Sequence, residues 1–238
     1  MNSRIKFIDI LIHINESIIF YPKLRSFYKK EFAGIDPVII DVGANRGQTI
    51  DFFLKINANS TIHAFEPNHN LFLLLKNKYA SRPNVHIYNL GVSNTRGKLV
   101  FNESVMDTTS TFEELNYESE YLKQKSKILG INPEQMIKSS YEVDVICLSD
   151  FLKERKIAKA DLIKIDTEGH EYKCLQGLFD KASCDINFIQ LEQHHDDMYA
   201  NNVAEGTITD LLKENRFSLY KRIKHGFGGI DEIIFKHV

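Results

Sequence analysis

Apolar residues along the chain fall into two alternating kinds of segment. Short runs rich in Val, Ile, Leu and Phe stand at 38–41, 61–65, 85–88, 162–165 and 188–191. Between and after them, 49–56, 71–79, 149–156, 171–178 and 208–215 space their apolar residues by three and four, the period of a helix with one buried face. Strands that lack polar alternation are covered on both faces, and strands separated by helices pair in parallel. The pattern predicts an α/β fold, a mainly parallel sheet with helices on both faces.

Three stretches depart from this rhythm. Segments 98–101 and 143–148 read as extra strands, and between them lies a polar, charged insertion near 102–140 with Gly130 and Pro133 as breakers. An insertion of this length is either a lid or substrate loop, or a solvated helical decoration. Segments 217–220 and 232–235 flank Gly228-Gly229 and predict an antiparallel hairpin closing the sheet edge. Residues 1–35 read as a helical extension ahead of one domain at 36–238. There Ile5, Ile8, Ile12, Ile19 and Phe20 are interrupted by Asp9, His13, Asn15 and Glu16. That predicts an amphipathic helix packed on the domain, not a membrane span of ~20 apolar residues, and the cleavage site of a signal peptide is missing. A membrane-surface or homodimer contact through Phe20, Tyr21, Phe27 and Tyr28 is the alternative.

Bulk properties narrow this little. A net charge of −2 gives no basic excess for nucleic acid, and 43% hydrophobic residues suffice for a core. Cys147, Cys174 and Cys184 are odd in number and lack metal spacing, which suits reduced thiols in a cytoplasmic protein.

The chemistry starts at Asp41-Val-Gly-Ala-Asn-Arg-Gly-Gln48, where a strand stops and turns through two glycines into a helix. Such a loop brings backbone close to a nucleotide-like ligand at the carboxyl end of the strand. Asn45 stands where a dinucleotide fingerprint needs glycine, and no phosphate-cradling Gly-Lys-Ser/Thr run is present. Asp41 would repel phosphate and attract an ammonium group. The next strand ends in Phe65-Glu66-Pro67-Asn68, placing an acid about 20 residues on, where it can accept from ribose hydroxyls; Asn68 is a candidate helix cap. An adenosine with an amino-acid tail satisfies both acids, and S-adenosylmethionine is such a ligand.

Together with Asn89-Leu-Gly-Val-Ser93 and Lys164-Ile-Asp-Thr-Glu-Gly-His-Glu171, these motifs, in this order, resemble the FkbM family of S-adenosylmethionine-dependent methyltransferases over roughly residues 36–237. The resemblance implies a class I methyltransferase, a Rossmann-like seven-stranded sheet with a reversed C-terminal strand. It implies O-methylation of a sugar hydroxyl of a surface glycan or its precursor, with a macrolide or lipid-linked acceptor as the alternative. A catalytically silent cofactor-binding module would carry the same loops. Carried over residue by residue, cofactor contacts fall at Asp41, Gly43, Asn45, Gly47, Glu66 and Asp166, with Gly91 and Val92 at the adenine edge.

A sugar hydroxyl needs a base, or a metal that lowers its pKa, to attack the methyl group. Candidates cluster at two strand ends: Asp166 and His170 after the fourth, Glu192 and His194 after the fifth. Asp166 can touch the cofactor amine or orient the acceptor, and either His170 or Asp166 can take the proton. Glu168 and Glu171 can equally serve the N-terminus of the following helix. Asp166, Glu192 and His194 have the oxygen-rich character that suits Mg²⁺, but the spacing of His194 and His195 is not that of a metal motif, and no metal is expected to be required. Thr108 to Thr111 read as a polar loop capping a helix at 112–114, and Tyr117, Tyr121 and Tyr141 as packing or sugar-stacking rings.

Overall fold

The computed structural model describes residues 21–181, 184–194, 196–200, 203–204, 206–224 and 230–238. The amphipathic helix expected in the first 20 residues and the turn expected at Gly228-Gly229 lie outside them. Ten strands and seven α-helices are described. The strands are β1 (Val38–Val42), β2 (Thr61–Phe65), β3 (Val85–Tyr88), β4 (Gly91–Val92), β5 (Gly97–Ser104), β6 (Ile137–Ile146), β7 (Lys159–Ile165), β8 (Asp185–His194), β9 (Phe217–Lys224) and β10 (Ile230–His237). The helices are α1 (Tyr21–Glu31), α2 (Gln48–Ile56), α3 (His69–Lys78), α4 (Glu120–Leu129), α5 (Leu148–Glu154), α6 (Glu171–Phe179) and α7 (Thr207–Glu214).

Seven strands form one sheet in the order β3-β2-β1-β7-β8-β10-β9. Strands β3, β2, β1, β7 and β8 run parallel, whereas β10 is antiparallel to both its neighbours. The C-terminal hairpin therefore does not simply add to the edge: its second strand enters between β8 and β9, and β9 becomes the edge. Chain order reverses between β1 and β7, and the carboxyl ends of the strands there carry the motif loops.

The two faces follow from side-chain alternation. Ile39, Ile62, Leu162, Phe188 and Ile234 point to one face and pack with Leu24, Phe27, Tyr28 and Phe32 of α1 and the adjoining turn, Phe52 and Phe53 of α2 and Leu75 of α3. Ile40, Val42, Phe65, Ile163, Ile165, Ile189 and Phe235 point to the other, against Phe151 of α5, Cys174, Leu175 and Leu178 of α6 and Leu212 of α7. Each such side chain contributes roughly 1.5–3 kcal/mol by burial. Phe27 and Tyr28 belong to this core, at 8% and 0% exposure, so they pack on the domain and offer no outward contact.

A second, three-stranded sheet, β4-β6-β5, springs from the main one. Strands β5 and β6 pair antiparallel from Gly97↔Val145 to Ser104↔Ile137, so the strands run well into the stretch read as insertion. What remains, 105–136, holds its own small core. Met106, Leu115, Leu122, Leu129 and Met136 pack there with Met198 and Tyr199 from beyond β8. Helix α4 is capped by the Ser119 side chain, which accepts from Leu122 N, and ends at Gly130 with φ 75°. The insertion is thus not a solvated decoration but a packed cap over the carboxyl edge of the sheet. The helix expected at 112–114 does not form. Thr111 bridges Asn102 in extended backbone, because Phe112 and Glu113 are drawn inward.

Candidate active site

The first loop is shaped by three residues in the left-handed region: Gly43 (φ 86°), Asn45 (φ 47°) and Gly47 (φ 84°). Gly43 and Ala44 donate to the carbonyl of Phe65 (3.1 and 3.0 Å), tying the ends of β1 and β2 together. A Cβ on Gly43 would lie 1.9 Å from the carbonyl oxygen of Asp166. This glycine therefore serves close approach as well as turn geometry. Gly47 sits against Tyr79, whose hydroxyl is 3.0 Å from Gly47 O and 2.8 Å from Asp51 Oδ1.

Asp41 lies at the heart of this junction. It is fully buried; its carboxylate oxygens make no hydrogen bond of good geometry, the Thr49 hydroxyl giving only weak relief, and the buried Oδ1 of Asn45 is unpartnered. Burial pushes Asp41 up to about 6, with Lys164 and the Thr49 hydroxyl pulling it down and Asp166 pushing it further up. Buried carboxylate oxygens without well-placed donors are costly, and a cationic hydrogen-bond donor arriving from outside would relieve that cost. Glu66, 4% exposed, accepts from the backbone N–H of Asn45 and of Asn68 (2.8 Å each). Burial raises it to about 8 in spite of these two donors. Each oxygen keeps a second lone pair for a further donor. Asn68 does cap α3, its side chain accepting from Asn70 N and Leu71 N, and Asn89 Nδ2 donates to the carbonyls of Glu66 and Pro67 (2.9 and 3.0 Å).

Lys164, inside the fourth motif, is the residue that organises the charges. It pairs in register with Asp41 on one side and Gln190 on the other, and donates to Asp166 Oδ2 at 2.8 Å. Burial acts to lower its pKa, but the charges of Asp166, Asp41 and Glu232 outweigh it and hold Lys164 above its ordinary value. The row continues inward: Gln190 Nε2 donates to Glu232, and the Tyr28 hydroxyl to Gln190 Oε1. A lysine two residues before a strand-end acid faces the same side of the strand. That parity was the available signal, since a lysine in a strand covered on both faces must be paired.

The other expected site residues separate. Asp166, at the end of β7, joins the Asp41–Lys164 cluster. Its neighbour Glu168 has φ 54°, a conformation that costs a non-glycine residue roughly 1 kcal/mol or more. Glu168 Oε2 accepts from the Tyr199 hydroxyl at 2.6 Å. Glu171 folds back to accept from Thr167 N (2.8 Å) and Gly169 N (3.1 Å), holding its own loop. His170 is not an exposed first-turn residue. It is 1% exposed, with Nδ1 2.5 Å from Glu113 Oε1 and Nε2 3.0 Å from Ser93 Oγ, so both nitrogens are engaged away from solvent. Gly91 and Val92 form β4. Gly91 lies beneath Phe112, which a Cβ would meet at 2.4 Å, and Val92 is packed in the core. Glu192 lies opposite Glu232 on β10, half-buried. Tyr121 on α4 is pushed up to about 12 by burial and by the charges of Asp196, Glu168 and Glu192, which places the cap over these acids. The His194 side chain and all of His195 lie outside the described residues. Among the described residues no group of three or more His, Cys, Asp or Glu is placed to hold a metal ion, and no helix is long and apolar enough to cross a membrane.

The cap reaches the first and fourth motif loops, and the strands that carry it reach the second. Arg46 in the first loop pairs with Asp107. Lys138 pairs with Glu103 at 2.9 Å, beside Asn68 of the second loop. Thr111 Oγ1 donates to Glu168 O at 2.7 Å in the fourth.

A seven-stranded sheet with its C-terminal strand reversed, bearing a glycine loop with a buried acid after β1 and a second acid after β2, defines a class I methyltransferase. The fold is shared with magnesium protoporphyrin IX methyltransferase from Synechocystis, solved with bound S-adenosylmethionine, at a TM-score of 0.55, 9% identity and coverage of 100% of this chain and 86% of that one. The Methyltransferase FkbM domain matches residues 41–219, and the chain belongs to that family. It is 23% identical to the 2-O-methyltransferase NoeI of Sinorhizobium fredii, over 82% of this chain and 77% of the relative. It is 27% identical to the hexuronic acid methyltransferase AglP of Haloferax volcanii, over 79% of this chain and 66% of the relative. It is also 27% identical to the 31-O-demethyl-FK506 methyltransferase FkbM of Streptomyces tacrolimicus, over 82% and 77%.

Proposed function

We propose that this methyltransferase binds S-adenosylmethionine at the ends of β1 and β2 and methylates a sugar hydroxyl of a surface glycan or its precursor. The observation that carries the cofactor reading is Asp41, fully buried with no hydrogen bond of good geometry to either oxygen. When bound, S-adenosylmethionine supplies an electrophilic methyl group on a sulfonium. The residues fit it: Asp41 receives the ammonium, and Glu66 accepts from the ribose hydroxyls. Asp166, paired with Lys164, is the group best placed to orient the acceptor or take its proton. His170 is not assigned that role, because Glu113 and Ser93 occupy its ring nitrogens. O-methylation is favoured by NoeI, named a 2-O-methyltransferase, and a sugar acceptor by AglP, named a hexuronic acid methyltransferase.

Calorimetric titration with S-adenosylmethionine tests the core of this reading, and a wild-type protein that does not bind it would sink it. Asp41→Ala and Glu66→Ala should each weaken binding by about 10–100-fold, the range of a lost charge-assisted hydrogen bond. A radiolabelled methyl donor offered nucleotide sugars, glycan extracts and macrolides separates the acceptor classes.

A further inference from the structure

Ser93, His170 and Glu113 line up as a hydrolase relay would: Ser93 Oγ is 3.0 Å from Nε2, and Glu113 Oε1 is 2.5 Å from Nδ1. Yet Ser93 is 0%, His170 1% and Glu113 3% exposed, so no substrate reaches the hydroxyl. The three come from distant parts of the chain: Ser93 follows β4, His170 precedes α6, and Glu113 belongs to the cap. Nδ1 faces the carboxylate and Nε2 the Ser93 hydroxyl, so the ring bridges the two. Lys173 adds a second donor to Glu113 at 2.8 Å. Just before Glu113 the same segment is seated against the fourth loop and its base. The Thr111 hydroxyl donates to Glu168 O, and the Phe112 ring lies 5.1 Å from the His170 ring.

We propose that His170 is a positioning residue: through Glu113 and Ser93 it clamps cap residues 111–113 onto the loop 166–171 and so fixes the wall that the acceptor meets. The assignment of that wall rests on the methyl-transfer reading above; the clamp itself does not. His170 touches no reacting atom. It joins the cap to the loop bearing Asp166, while Asp41 and Glu66 hold the cofactor independently.

Hydrogen exchange and calorimetry on the full chain test this, with His170→Ala, Glu113→Gln, their double variant and His170→Gln. His170→Ala should raise exchange at 111–116 and 167–169 together by about tenfold, as expected for a lost buried, charge-assisted hydrogen bond. Strands β1 and β7 should stay as protected as in wild type, and S-adenosylmethionine affinity should hold. Glu113→Gln should reproduce the effect and the double variant add little, since the partners act as one unit. His170→Gln, whose amide can donate to Glu113 and accept from Ser93, should restore much of the protection. Unchanged exchange at 111–116 in His170→Ala would overturn the proposal. So would a rise spread evenly over β1, β7 and the cap, or no recovery in His170→Gln, either being the mark of a residue that only fills the core. Wild-type protein that fails to bind S-adenosylmethionine would sink the functional reading and leave the exchange result standing.

Discussion

Gly43 shows how much one missing side chain can decide. Its φ of 86° alone would disfavour any other residue, and the carbonyl of Asp166, 1.9 Å from where a Cβ would sit, cannot yield without moving β7. Gly43→Ala should therefore lower stability by roughly 1–3 kcal/mol and abolish S-adenosylmethionine binding; a variant that melts and binds like wild type would contradict this account of the loop. Asp41, Gly43 and Glu66 were legible in the sequence because strand-end acids and glycines at fixed spacing leave a local mark. Lys164 was not, since its meaning lies in Asp41 and Gln190, neighbours only across strands. His170 was legible as a candidate but not in its role: nothing local to residue 170 tells that Glu113 and Ser93 arrive to occupy both nitrogens.

Helix α6 carries a similar constraint at the level of an element. Gly177 faces the main chain after β4, where an added Cβ would meet Ser93 O at 2.1 Å. In an exposed helix, Gly→Ala stabilises by about 1 kcal/mol. Here Gly177→Ala should instead destabilise by about 1–3 kcal/mol, pushing α6 off β4; a rise in Tm would show the contact to be slack. Elements of the parallel sheet could be read from apolar runs because both their faces are covered. The cap could not. Its Met106, Leu115 and Leu122 are sparse along the chain and become a core only when Met198 and Tyr199 join them. The insertion of β10 between β8 and β9 was likewise invisible as spacing and came only with the family resemblance, because strand order is a property of long-range pairing.

Taken whole, the molecule stores acids where they are costly. Asp41 rises from 3.8 to about 6 and Glu66 from 4.5 to about 8, in both cases chiefly by burial. The folded chain thus holds protons that the unfolded chain has released. That stability is full below the ordinary carboxylate range and is lost as pH climbs through about 6 and then about 8. For Asp41 alone the loss is on the order of 3 kcal/mol. Burial also acts to raise Glu103 and Glu113, but Lys138 with Ser139, and His170 with Lys173, hold them below their ordinary value; their contribution fades only at more acid pH. Between pH 5 and 8, Tm of the ligand-free protein should therefore fall, and Asp41→Asn and Glu66→Gln should flatten the fall. A Tm that climbs over this interval would refute the burial argument. A cationic ligand needs Asp41 ionised, so S-adenosylmethionine should bind more tightly as pH passes 6.

The contact of Gly43 with the Asp166 carbonyl has one more consequence. The first loop and the fourth stand back to back with no side chain between them, one facing the proposed methyl donor and the other the acceptor. A shift in either backbone is at once a shift in the other, so neither can drift to suit a new partner. Diversity of acceptors within such an architecture has to be written elsewhere, and residues 105–136, touching both loops yet built on a core of their own, are where this chain has room to write it.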